Sequence, residues 1–170
     1  MVALAAWTGL RCCDIVALRL DQIDWRHDEI RLIQAKTSRP LVLPLPAQAG
    51  NAVAEWILHG RPDCDAPEVF VRLQPPFVRL GNSAGSTLLR RRLARAGIDH
   101  VAGDGKSFHA LRRTAGTRLI ESGAGQPLTA QILGHARINS AGRYFALASD
   151  QLRQCCLPLA QFACVKEGLR

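Results

Sequence analysis

The chain of 170 residues is 48% hydrophobic and 21% charged, the make-up of one soluble globular unit long enough to bury its own core. No window approaches the roughly eighteen uninterrupted apolar residues of a membrane span, and Met1–Trp7 has neither a basic leader nor a cleavage-like site, so a cytoplasmic protein is expected. Basic residues outnumber acidic ones, 22 − 14 = +8, and 22 − 3 = 19 of the basic side chains are arginines, whose planar fork suits phosphate oxygens and points to a polyanionic partner.

Residues 2–7 read as a helix broken by Thr8-Gly9 just before Arg11. A second helix is predicted from about Asp14 to Leu20, with Ile15, Val16, Leu18 and Leu20 inward and Asp14 three residues beyond Arg11, close enough to meet it. From Gln22 to Pro44 the hydrophobic period changes to two, which predicts three short antiparallel strands. Arg26-His27-Asp28 forms the first turn and Ala35–Arg39 the second, so Lys36 is expected on a hairpin tip. A helix from about Pro46 to His59 places Trp56 in the core, and Gly60-Arg61-Pro62 ends it.

Residues 60–84, rich in Pro, Gly and Asp, read as a long loop with order at Val69–Val71 and at Phe77-Val78. Ser86–Ala96 is predicted as a helix with Leu89 and Leu93 inward and Arg91 and Arg95 on an outer stripe that either faces solvent or lies on phosphates. Ser107 is a natural N-cap for a helix over Phe108–Glu121, closed by Gly123, with Phe108, Leu111, Ala115 and Leu119 inward and His109 and Arg112 projecting together. A short helix over Leu128–Leu133 stops at Gly134-His135, and another over Ser140–Ala148 carries Tyr144, the chain's only tyrosine. The tail from residue 150 to 170 is predicted as a further helix for protomer contact. The fold class expected is mainly α (α+β), helical with a small three-stranded antiparallel sheet.

The six cysteines, Cys12, Cys13, Cys64, Cys155, Cys156 and Cys164, fit neither a CxxC metal pattern nor a secreted disulfide frame. No metal site or cofactor is expected. If Arg11, Lys36, His109, Arg112, His135 and Tyr144 converge, a different chemistry follows. Two guanidinium groups hold both non-bridging oxygens of a phosphodiester and neutralise the charge growing at phosphorus. Tyrosine attacks, lysine protonates the departing alkoxide, and imidazoles relay protons or bond the phosphoryl oxygen. Each residue alone has a plainer explanation, since His-x-x-Arg arises by chance and a turn lysine is usually solvated.

Their order carries a resemblance. Thr8-Gly9-Leu10-Arg11, Lys36, His109-Ala110-Leu111-Arg112, Leu133-Gly134-His135 and Tyr144 resemble, across nearly the whole chain, the catalytic domain of the tyrosine recombinases, the phage integrase family. The resemblance implies one-strand-at-a-time cutting of double-stranded DNA through a 3′-phosphotyrosyl link to Tyr144, and exchange within a homotetramer on paired sites. Asp14 then supports Arg11 from behind, and Arg91, Arg95 and Arg113 are expected on DNA. Residues 1–170 would form a single catalytic domain clipped at its first helix and lacking the family's N-terminal clamp. Ser140-Ala141 replaces the common Thr-Thr, and Arg113 stands where a histidine is common. The competing readings are a non-catalytic DNA-binding remnant and a type IB topoisomerase-like relaxing enzyme.

Overall fold

The computed structural model describes residues 1–101 and 103–133. His135, Tyr144, the helix expected around Tyr144 and the tail lie outside the described residues.

Helix α1 (Val2–Thr8) ends where the Thr8 hydroxyl turns back to the Leu4 carbonyl at 2.6 Å and Gly9 adopts φ +68°. A left-handed residue at that position closes the helix, and glycine takes it without a Cβ penalty. Leu10 is buried, Arg11 is extended, and α2 (Cys12–Ala17) starts at once. The sequence places α2 at Asp14–Leu20, and the difference has a cause. Leu18 becomes extended and accepts the Val69 N–H at 2.8 Å, while the Leu20 N–H bonds Pro67 O at 2.9 Å, so the chain leaves the helix to pair with residues 67–69.

The expected sheet forms as β1 (Ile23–Asp24), β2 (Glu29–Ile33) and β3 (Pro40–Pro44), antiparallel and in chain order. Its register pairs Ile30 with Leu43 and Leu32 with Leu41, so the alternating aliphatic positions share one buried face. That face packs with Leu4, Ile15, Leu18, Val53 and Phe108 into one core. At ~1.5–3 kcal/mol per fully buried aliphatic side chain, this cluster is the main term holding helices to sheet.

Helix α3 (Ala47–Glu55) is shorter than the expected 46–59 because its last turn, Trp56–Gly60, widens, with Arg61 N–H reaching back to Trp56 O at 2.7 Å. The widened turn lets Trp56 stack on Phe70 at 6.1 Å and donate its indole N–H to Val69 O at 2.8 Å. Val69, Phe70 and Val71 are thereby the buried anchor of the long loop. Helix α4 (Ala84–Arg95) begins two residues before the expected start, and α5 (Phe108–Glu121) has the expected bounds. Helix α6 (Gln126–Ile132) starts earlier than Leu128, with Pro127 in its first turn, where the missing N–H costs nothing. Among the described residues no helix is long and apolar enough to cross a membrane.

Candidate active site

The break between α1 and α2 presents the first arginine. Arg11 caps the start of α2, its guanidinium 3.8 Å from Oδ2 of Asp14, a carboxylate with no solvent exposure. The other oxygen, Oδ1, accepts the backbone N–H of Ala35 at 2.8 Å, from the turn that carries Lys36. One buried carboxylate therefore fixes both the arginine and the lysine hairpin. The link from Asp14 to Arg11 agrees with the sequence expectation; the link to Ala35 is additional.

Lys36 is exposed on the hairpin tip. The tip has its own staple. Gln34 is 1% exposed, its backbone N–H bonds Arg39 O at 2.9 Å, its carbonyl accepts Ser38 N–H at 2.9 Å, and its side-chain oxygen accepts the Thr37 hydroxyl at 2.6 Å. The period-two run from Gln22 to Pro44 puts Gln34 in phase with the inward Ile30 and Leu32. A buried amide at an inward strand position is the signal that marks it, since such a group must be satisfied locally.

Helix α5 carries His109, Arg112 and Arg113, and here one expectation needs correction. His109 and Arg112 do not project together. His109 is exposed, whereas Arg112 is 2% exposed, donating through Nη1 to Gly9 O at 2.6 Å and through Nη2 to Leu133 O at 2.5 Å. Those acceptors sit where α1 and α6 run out of helical N–H partners, so the fork satisfies two helix ends at once. The inward face of α5 is accordingly Phe108, Arg112, Ala115, Gly116 and Ile120, with Leu111 and Leu119 only half-buried.

The cations still act on one place. Although His109 is exposed as a residue, its imidazole is held below the usual value of 6.5, first by the partial loss of solvent around the ring and then by the positive charges of Arg112, Arg113, Arg11 and Lys36. Positive charges from three elements, the start of α2, the β2–β3 hairpin and α5, thus each disfavour protonation of this one ring. A neutral imidazole in a cationic field suits proton transfer beside an anion.

Helix α4 enters from the side. Gly85 is buried, and a Cβ there would lie 2.6 Å from Cys12 Sγ and 3.0 Å from Phe108 Cδ2, so α2, α4 and α5 meet at their N-terminal ends. Cys12 Sγ also donates to Asn82 O at 3.2 Å, and burial raises both the Cys12 and Cys13 thiols above their ordinary value. Arg91 and Arg95 are exposed on α4, and Arg113 is exposed with Nη2 bonded to Gly105 O at 3.1 Å. An open hollow of about 510 Å³ lies along α5, lined by Ala110, Arg113, Thr114, Thr117, Arg118 and Glu121. Among the described residues no three His, Cys, Asp or Glu side chains cluster as metal ligands would.

Residues 1–151 match the sequence profile of the Phage integrase family. The putative integrase/recombinase y4gC of Sinorhizobium fredii is 35% identical over 159 residues, covering 94% of this chain and 81% of that protein. The putative integrase/recombinase y4rF of the same organism is also 35% identical, over 163 residues, but this chain spans only 37% of its length. Among solved structures, the XerH site-specific recombinase bound to a palindromic difH substrate superposes with a TM-score of 0.73 at 16% identity, over 91% of this chain and 43% of that one.

Proposed function

The chain belongs to the phage integrase family, and from that membership we propose that it is the catalytic part of a site-specific DNA recombinase, cutting and rejoining strands through a phosphotyrosyl intermediate. The observation that carries this reading is the buried Asp14, which joins Arg11 to the Lys36 hairpin beside the helix of His109 and Arg112.

In the proposed reaction Arg11 holds the non-bridging oxygens of one phosphodiester of duplex DNA, and Arg112, its fork engaged by the Gly9 and Leu133 carbonyls, adds its positive charge from the core side to balance the five-coordinate state. The phenolic oxygen of Tyr144 attacks phosphorus, its proton passing to His109, and the bond from phosphorus to the 5′ oxygen breaks. Lys36 protonates that oxygen, leaving a 5′-hydroxyl and a 3′-phosphotyrosyl link. His135 bonds the phosphoryl oxygen. Rejoining is the same path reversed with a new 5′-hydroxyl. Arg91, Arg95 and Arg113 hold the duplex, and four copies, in contact through residues 150–170, exchange strands on paired sites.

A nicked suicide duplex carrying the chain's own flanking DNA tests the reading. Wild type is expected to form a covalent adduct stable to denaturant, and Tyr144→Phe none. If wild type binds the duplex and forms no adduct, the catalytic proposal fails and a DNA-binding remnant is left. Relaxation of supercoiled plasmid without sequence preference would instead favour the type IB topoisomerase-like reading.

A further inference from the structure

We propose that the hairpin over residues 72–79 is a second DNA-backbone contact, with Arg72 and Arg79 seated on phosphates neighbouring the one held at Arg11. The inference rests on the DNA reading above and extends it to a surface outside the residues assigned there.

The hairpin is firmly based. Val71 bridges Arg79, the Arg72 N–H bonds Val78 O at 3.0 Å, and the Leu80 N–H bonds Phe70 O at 3.3 Å. Beneath it Val69, Phe70 and Val71 are buried, locked by the stacked and hydrogen-bonded Trp56. Above that base the chain stands clear of the core: Leu73 is 67% exposed, Val78 50%, and Arg72 and Arg79 are both exposed. A loop on a packed footing presents charge with little ordering cost on binding.

Its position ties it to the site. Three residues after Arg79, the Asn82 carbonyl accepts the Cys12 thiol at 3.2 Å, and Cys12 directly follows Arg11. Three residues span at most about 11 Å between Cα atoms, so Arg79 can reach a phosphate one or two nucleotides from that at Arg11.

Among the described residues its charge has no ion-pair partner. From Val69 to Ile98 the chain holds six arginines, Arg72, Arg79, Arg90, Arg91, Arg92 and Arg95, and no carboxylate. All six are exposed, and among the described residues none forms an ion pair. The sheet's exposed Arg31 is the contrast, lying 2.9 Å from Glu29 and 3.4 Å from Asp24. Arginines left without acidic neighbours along a loop and the helix that follows it give this stretch a run of exposed positive charge, as a backbone that brings its own negative charge would require.

The test is the salt dependence of binding, by fluorescence anisotropy, to a mixed-sequence duplex of about three helical turns. Arg72→Ala with Arg79→Ala is expected to make the slope of log K against log salt shallower by about 1.8, roughly 0.9 for each lost phosphate contact. Arg26→Ala with Arg31→Ala removes the same charge from the sheet and is expected to leave the slope at the wild-type value. Thermal melts show that each variant is folded, and Arg72→Gln with Arg79→Gln repeats the test with less change in side-chain bulk. Equal falls in both pairs would reduce the effect to net charge and overturn the proposal. A wild-type slope in the Arg72/Arg79 variant, with Leu73→Asp altering sedimentation, would assign the hairpin to a protein partner and also overturn it. Absence of any salt-dependent binding by wild type is a separate result that sinks the underlying DNA reading.

Discussion

The Asp14 carboxylate accepts the Ala35 backbone N–H at 2.8 Å, tying the start of α2 to a hairpin 21 residues along the chain. Its second oxygen faces Arg11, so a side chain that never reaches a substrate sets the separation of two groups proposed to touch one.

Removing that carboxylate is therefore expected to act twice. Asp14→Ala removes the acceptor of the part-buried Ala35 N–H and should cost about 1 kcal/mol in chemical denaturation. Asp14→Asn keeps an oxygen for Ala35 but not the charge beside Arg11, and should retain more stability than Asp14→Ala while still slowing adduct formation. Identical denaturation midpoints for Asp14→Ala and wild type would show that the link carries no weight.

Arg112 makes a sharper case, because its loss should be felt without DNA. The fork closes the ends of α1 and α6 from within the core, so Arg112→Ala strands two carbonyls and is expected to lower stability by roughly 3 kcal/mol or more. Arg112→Lys keeps the charge and cannot span both acceptors, so it should fall between. A DNA-free melt of Arg112→Ala that matches wild type would contradict the structural role.

His109 gives a prediction in pH. Burial and the surrounding cations lower its value in the folded chain below 6.5, so the unfolded chain takes up the proton first as pH falls. Its contribution to stability is complete above the unfolded value and declines below it. The same shift keeps the ring a competent base at pH where an ordinary imidazole is charged, so the acid limb of cleavage should lie below 6.5. Arg113→Ala removes one of the cations and should move that limb upward. An acid limb unmoved in Arg113→Ala would mean that the field at His109 has another source.

Much of this was legible in the residue pattern because it follows local rules. The period-two run from Gln22 to Pro44 gives the hairpin and places Lys36 at its tip, and Thr8-Gly9 marks the end of α1 through a left-handed glycine. What periodicity misses is non-local. Arg112 is polar and three residues from His109, so helical spacing assigns both to a working face; its burial is decided by carbonyls 103 and 21 positions away. The early end of α2 and the widened last turn of α3 are likewise set by pairing with residues 67–70, which no window centred on either helix contains.

The absent side chain at Gly85 has a mechanical consequence. With no clearance between α4, Cys12 and Phe108, α4 cannot tilt without displacing the residue next to Arg11 or the residue next to His109. On the reading proposed here, a duplex that seats α4 off-register would drag the phosphate-holding groups out of line with it. Fidelity to the correct site would then come from the joint itself, as a lock whose bolt moves only when the key is fully home.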